Sequence, residues 1–129
     1  GTNMERITHR KFEAKVSVRF QDATVVPNIL EQIKAKLKTI PKLDTLSQPY
    51  RVSFVEFGPY SLNLEIICYF ATKSIDEFLM LQQQANLVII QVIEESGAKL
   101  ALPTTLMQTM AVTDTPGQLV TTKSGRSNQ

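Results

Sequence analysis

Residues 51–70 read RVSFVEFGPYSLNLEIICYF, which is two strand-length apolar runs joined by a turn. Gly58 and Pro59 are typical turn residues, so the stretch predicts a β-hairpin. Apolar side chains occupy every second position of the later arm, a period of two that indicates a sheet with one buried face. The predicted core-facing residues of this arm are Leu62, Leu64, Ile66, Cys68 and Phe70. Those predicted to face outward are Asn63, Glu65, Ile67 and Tyr69.

A second half-buried strand precedes the hairpin, at residues 12–20. Its charged and polar side chains alternate with apolar ones, so the sheet has one face that helices must cover. Residues 26–40 supply one helix, with an apolar stripe, Pro27 in its first turn and Pro41 after its last. The predicted core-facing residues of the strand are Phe12, Ala14, Val16, Val18 and Phe20.

A second helix follows the hairpin. Ser74 and Glu77 have the spacing of a capping box, and Gly97 suits a C-terminal cap. Residues 99–102 then form a short apolar run that ends at Pro103, as an edge strand would. The order strand, helix, strand, strand, helix, strand predicts an α+β fold of the ferredoxin-like βαββαβ type. Right-handed crossovers place strands one and three centrally in an antiparallel sheet, with both helices on one face.

The chain divides into four predicted segments. Residues 1–11 are a basic lead-in, interpreted as the end of a preceding β domain with a tag remnant at Gly1. Residues 12–103 form the ferredoxin-like domain, of roughly 90 residues, near the common size of an independent core. Residues 104–112 are a candidate short final strand. Residues 113–129, rich in Thr, Ser, Gly and Gln, predict a flexible tail.

Composition narrows the class of protein. Apolar residues make up 43% of the chain and the net charge is +2, which is typical of a globular domain and argues against a nucleic-acid-binding surface. No run approaches the ~18 apolar residues of a membrane helix, so the fragment itself is expected to be soluble. A single cysteine permits no internal disulfide and favours a reducing compartment.

The residue inventory predicts no catalytic, cofactor-binding or metal site. His9 and Cys68 are the sole histidine and cysteine, fewer than the about four ligands of a structural zinc site. Cys68 is centred on a core face, which suits packing better than nucleophilic attack. No glycine-rich phosphate loop opens a helix. Neither enzymatic activity nor a small-molecule substrate is therefore expected.

Two surface features are candidate contact sites. Arg6, His9, Arg10 and Lys11 form a basic cluster that could meet anions or an acidic neighbour, or simply be a solvated terminus. Alternation along the second strand predicts that Val55 and Phe57 lie on one face of the sheet and Val52 and Phe54 on the other. The second feature is an expected apolar patch on the helix-free face, a candidate subunit or domain interface against the alternative of scattered exposed side chains. The members of this patch are Phe57, Ile67 and Tyr69.

Residues 54–65, in which a Phe-Gly turn precedes Ser-Leu-Asn-Leu-Glu, resemble the carboxyl-terminal α/β domain of small-conductance mechanosensitive (MscS) channels. Residues 10–20 also resemble the start of the domain in that family, and residues 97–103 resemble its Gly, apolar, apolar, Pro ending. The resemblance therefore covers roughly residues 5–108. It implies that upstream helices span the inner membrane and that other copies of the chain form a heptamer with this domain in a cytoplasmic chamber. The chamber would hold subunits together and filter solutes released on osmotic downshock. The resemblance implies no catalytic residue.

Rival functions for the same fold remain to be weighed. An RNA-binding module would show outward aromatic residues on the two central strands, whereas the first strand is predicted to carry only charged and polar residues on its outward face. A phosphatase-type enzyme would need an anion cradle at residues 21–26, which contain no glycine and no arginine. A small-molecule-sensing regulatory domain stays the alternative, although the glycine-containing loop of such domains is missing after the first strand.

Overall fold

The computed structural model of the 129-residue chain describes residues 8–101, a three-stranded antiparallel sheet with two helices on one face. Its strand order is β1-β3-β2, so the predicted central position of the third strand and edge position of the second are confirmed. The predicted α+β class is confirmed as well. The elements are β1 (His9–Arg19), a 3₁₀ turn (Phe20–Val25), α1 (Val26–Leu37), β2 (Arg51–Phe57), β3 (Ser61–Ala71) and α2 (Ile75–Ser96).

One core fills the space between the sheet and the helices. The alternation predicted for β3 is confirmed, because all five of its core-facing side chains are buried. The register places Val16 opposite Leu64 and Val52 opposite Ile66, so three strands present apolar residues to the same side. The helices close that side with residues at helical spacing. These are Val26, Ile29, Ile33 and Leu37 of α1, and Phe78, Leu81, Ala85, Ile89, Val92 and Ile93 of α2.

Helix α2 begins and ends at the predicted capping residues, Ser74 and Gly97. The Ser74 hydroxyl accepts a hydrogen bond from the Glu77 amide at 3.1 Å, and Gly97 ends the helix with a left-handed φ of 86°. The reciprocal half of the capping box does not form. The Glu77 carboxylate instead accepts hydrogen bonds from the Thr72 hydroxyl and the Lys42 ammonium group. The cap thereby ties α2 to the loop that follows α1.

The chain after α2 returns to the free edge of β1, where the fourth strand is predicted. The Ala101 amide donates to the Ser17 carbonyl at 2.8 Å, and an antiparallel bridge joins Val18 to Leu100. Asp22 fixes this arrangement, because its carboxylate accepts two bonds from Arg19 at 2.9 Å and one from the Lys99 amide at 3.0 Å. The Arg19 bonds, then the Lys99 amide, hold the pKa of Asp22 below its ordinary value. The lead-in before residue 8, the candidate strand 104–112 and the tail 113–129 lie outside the described residues.

A β-bulge changes the predicted faces of β2. Phe54 pairs with Leu64 and Glu56 pairs with Asn63, which leaves Val55 as an extra residue in the strand. Alternation therefore restarts, and Phe57 pairs with Leu62 on the helix-bearing face. The prediction that Phe57 faces the helix-free side is wrong for this reason.

The end of β1 also differs from its prediction. The strand stops at Arg19, and the next residue already belongs to the 3₁₀ turn. Phe20 is consequently 45% exposed instead of facing the core. At its other end β1 begins at His9, three residues earlier than predicted. Helix α1 ends at Leu37, before residue 40, although Ile40 is still buried.

Candidate functional site

Cys68, the one thiol of the chain, belongs to the core. It is fully buried on β3 opposite Phe12, and this burial raises the pKa of the thiol to about 12. A thiol that stays protonated near neutral pH is a poor nucleophile and a poor metal ligand. Among residues 8–101, no three His, Cys, Asp or Glu side chains come together as a metal site. Neither helix in this part of the chain is both long and apolar enough to span a bilayer.

The described members of the predicted basic cluster point in different directions. Successive residues of a strand alternate between faces, and β1 already includes these positions. Arg10 is on the helix-bearing face and donates to the Lys73 carbonyl at 3.0 Å, whereas Lys11 is 3.5 Å from Glu13 on the opposite face. His9 is paired with Asp44. The structure therefore does not bring these three together, and Arg6 lies outside the described residues.

Asp44 joins the loop after α1 to the start of β1. Its Oδ1 accepts hydrogen bonds from the Leu46 and Ser47 amides, both at 3.0 Å, while Oδ2 lies 2.8 Å from His9 Nε2 and accepts from the Ser47 hydroxyl. The Ser47 hydroxyl, then the Ser47 amide and the His9 ring, hold the pKa of the Asp44 carboxyl well below its ordinary value. This arrangement is an Asx turn that anchors the loop.

Acidification should weaken the fold partly through Asp44. Because its folded-state pKa is lowered, the carboxylate stabilises the folded chain above the ordinary aspartate pKa of about 3.9, and that contribution is lost as the pH falls below it. Ser47→Ala should therefore reduce the stability lost between pH 5 and pH 2.5 in urea melts. Thr45→Ala, in the same loop, should leave this loss unchanged. Equal pH dependence of Ser47→Ala and the parent chain would contradict the role of Asp44.

The helix-free face of the sheet is mainly polar. Serines 17 and 61 donate to the Asn63 Oδ1 at 2.8 Å, and the Asn63 amide donates to Glu56 at 3.3 Å. Ile67 lies between Glu13 and Arg51 in the register, and Tyr69 lies opposite Lys11. Ile67 and Tyr69 are both half-buried. Two members of the predicted patch thus share this face, but Phe57 does not join them.

Phe57 belongs instead to a surface that the sequence analysis missed. Its ring stacks with Phe20 at a centroid separation of 6.4 Å and meets Phe54 edge-on at 5.2 Å. These three rings, the aromatic cluster, are 39–70% exposed at the hairpin end of the sheet. The bulge at Val55 and the early end of β1 place them together, since each change turns a ring away from its predicted face.

A second missed surface follows the outer side of α2. Helix positions separated by three, four, seven or eight residues share one face, and here that face is apolar although it points away from the core. We call it the α2 ridge, and it consists of Leu79, Met80, Gln83, Leu87 and Ile90. Its four apolar side chains are 48–64% exposed. No charged residue occurs from 78 to 93, a sequence signal that could have revealed the ridge.

The two helices differ in this respect. The exposed side of α1 carries Asn28, Glu31 and Lys34, as expected for a helix that buries one face in the core and exposes the other to water. An exposed apolar stripe over several turns is instead typical of a contact surface. The described part of the molecule therefore presents contact surfaces, rather than a cluster of reactive groups, as its candidate functional site.

Comparison with known proteins identifies the family to which this fold belongs. Residues 12–100 match the family described as "Mechanosensitive ion channel MscS, C-terminal". The chain belongs to the MscS mechanosensitive channel family and contains its C-terminal domain. The resemblance inferred from the hairpin is thus confirmed. This is a family of ion channels and not a family of enzymes.

Two bacterial relatives are similar over most of the chain. The low conductance mechanosensitive channel YnaI of Escherichia coli K12 is 34% identical over 101 residues, which cover 78% of this chain and 29% of YnaI. An MscS family protein of Aquifex aeolicus is 30% identical over 110 residues, covering 80% of this chain and 29% of that protein. The chain thus spans less than a third of the length of these relatives.

A solved structure supports the same fold. The cryo-EM structure of Arabidopsis thaliana MSL1 superposes with a TM-score of 0.69 at 20% identity, covering 76% of this chain and 35% of that one. At this level of identity the similarity concerns the fold alone.

Proposed function

We propose that this chain is the vestibule domain of a mechanosensitive channel, and that its role is structural. The domain would lie on the cytoplasmic side of the inner membrane, hold subunits together as a heptamer and filter the solutes released on osmotic downshock. The observation that carries this proposal is the family match over residues 12–100, nearly all of the described domain. The exposed α2 ridge and aromatic cluster add support, because a structural wall needs contact surfaces and no reactive centre.

The test uses the full-length protein in cells that lack their own mechanosensitive channels. We expect tension-gated current in membrane patches and improved survival of osmotic downshock. Removing residues 12–101 should reduce subunit assembly and survival together. Leu46→Lys is a control for expression and handling, because Leu46 is 97% exposed in the loop between α1 and β2 and this variant should behave like the parent. A full-length protein without tension-gated current would refute the channel function, and normal assembly of the shortened protein would refute the structural role.

A further inference from the structure

The loop between α1 and β2 extends the sheet at one end. Strand β2 stops short of the end of β3, so this part of the β3 edge is free to pair with the loop. The Asp44 amide donates to the Tyr69 carbonyl at 3.0 Å, and the Ala71 amide donates to the Lys42 carbonyl at 2.8 Å. Residues 42–44, which we call the latch, therefore lie beside β3 as a short additional strand.

The side chain of His9 fastens the latch from the far side of β3. His9 pairs with Ala71, whose single methyl group leaves room for a side chain to cross the strand. The 2.8 Å contact between His9 Nε2 and Asp44 Oδ2 thus joins the first residue of β1 to the latch. The pKa of Asp44 lies well below its ordinary value, so its carboxylate is ionised near neutral pH and can only accept. It follows that Nε2 carries the proton and donates it.

Lys42 connects the latch to the start of α2. Its ammonium group lies 3.0 Å from a carboxylate oxygen of Glu77, and that carboxylate also accepts from the Thr72 hydroxyl. The backbone of Lys42 has a φ of 70°, the one positive φ of a non-glycine residue among residues 8–101. Such a conformation is rare for a residue with a side chain and persists only where the surrounding contacts hold it. The contacts at both ends of the latch therefore act against local strain.

We propose that the latch couples the start of β1 to the start of α2, so that loosening either contact loosens the other. Only Leu43 separates the two contacting residues, and it forms a bridge to Phe70 of the core. Loss of the Asp44 contact would let the strained backbone at Lys42 relax and draw its ammonium group away from Glu77. This inference rests on the proposed function for its role in a channel. There the chain before β1 would lead toward the membrane, and the latch would transmit its displacement to α2.

Amide hydrogen exchange, followed by NMR in the 129-residue chain, measures how firmly the start of β1 is held. Ser17 and Arg19 direct their backbone groups toward residues 99–101. Alternate residues of the strand, which include Arg10 and Phe12, therefore bond to β3 and report on its pairing with β1.

Three variants test the coupling. His9→Phe keeps a ring but removes the donor, and it should raise exchange at the two reporter amides by about tenfold. Lys42→Met keeps the length of the side chain and removes its charge. It should raise exchange at the same amides by about threefold, although the ammonium group is paired with α2 and not with β1. Lys36→Met is the matched control, because Lys36 also pairs with an acid of α2, Glu95 at 3.1 Å, but outside the latch. It should leave the exchange unchanged.

Coupling between two contacts is reciprocal, so a change at β1 should also be detected at α2. The Thr72 hydroxyl, then Lys42, holds the pKa of Glu77 below its ordinary value. In His9→Phe this pKa should rise toward that value in an NMR titration. Slow exchange of the Leu64 amide in the core would verify that each variant is folded.

Membrane patches that contain the full-length protein test the role in a channel. His9→Phe and Lys42→Met should shift the tension of half-opening in the same direction. The double variant should shift it no further than the larger single shift, because both substitutions release one latch. Lys36→Met should open at the tension of the parent.

The outcomes separate the inference from the proposed function. Unchanged exchange at the reporter amides in Lys42→Met would overturn the coupling, and so would an equal rise in Lys36→Met, which would show general loosening. The expected exchange with no shift in opening tension would overturn the role of the latch in the channel while the proposed function stands. The expected exchange in a protein without tension-gated current would refute the proposed function and leave the coupling intact.

Discussion

Phe70→Ala is expected to lower the free energy of unfolding by about 3–5 kcal/mol, the range for deleting a large buried ring. Phe70 is fully buried on the central strand, and its ring meets Phe12 at 6.4 Å and Phe78 at 6.2 Å, both edge-on. The substitution removes contacts to β1 and to α2 at once and leaves a cavity between them. Urea melts followed by circular dichroism would measure the loss.

Two further variants show whether packing explains that loss. Phe70→Leu keeps much of the apolar volume and should cost clearly less than Phe70→Ala. A double-mutant cycle with Phe78→Leu should give a coupling of about 0.5–1.5 kcal/mol for the edge-to-face pair. A loss below about 0.5 kcal/mol for Phe70→Ala, a value typical of surface positions, would contradict its place in the core.

Local patterns of the sequence predicted most of the fold. The alternation in β3 depends only on whether successive side chains face the core, so it could be recognised without knowledge of the partners. The caps of α2 are local too, because Ser74 satisfies an amide three residues away and Gly97 adopts a backbone angle that other residues avoid. The order and type of the elements then predicted the topology, because crossover connections are right-handed.

The errors occurred where one residue changes the register of a strand. An extra residue at Val55 carries no compositional signal, yet it moves Phe57 from one sheet face to the other. The early end of β1 similarly exposes Phe20. Both features depend on pairing between strands and not on a local pattern. The register of β2 against β3 sets the bulge, and the contact of Asp22 with the Lys99 amide, 77 residues along the chain, holds the turn after β1.

The candidate contact surfaces were harder to predict than the core. The core stripe of α2 follows from its helical spacing, whereas the apolar residues outside that stripe have no predicted partner. The absence of charge over residues 78–93 was the visible signal. The aromatic cluster had no such signal, because its members come from β2 and from the 3₁₀ turn after β1. Only the register of the sheet brings them together.

Leu64→Ala is expected to lower the free energy of unfolding by about 2–5 kcal/mol through lost burial and a cavity. Leu64 is fully buried at the middle of the central strand, where Val16 and Phe54 flank it on the neighbouring strands. Glu65→Ala is the matched control, because the next residue of the same strand faces the helix-free side opposite Lys15 and Ser53. The control should change stability by no more than about 1 kcal/mol. Equal losses for the two variants in parallel urea melts would mean that burial on the helix-bearing face does not govern the stability of β3.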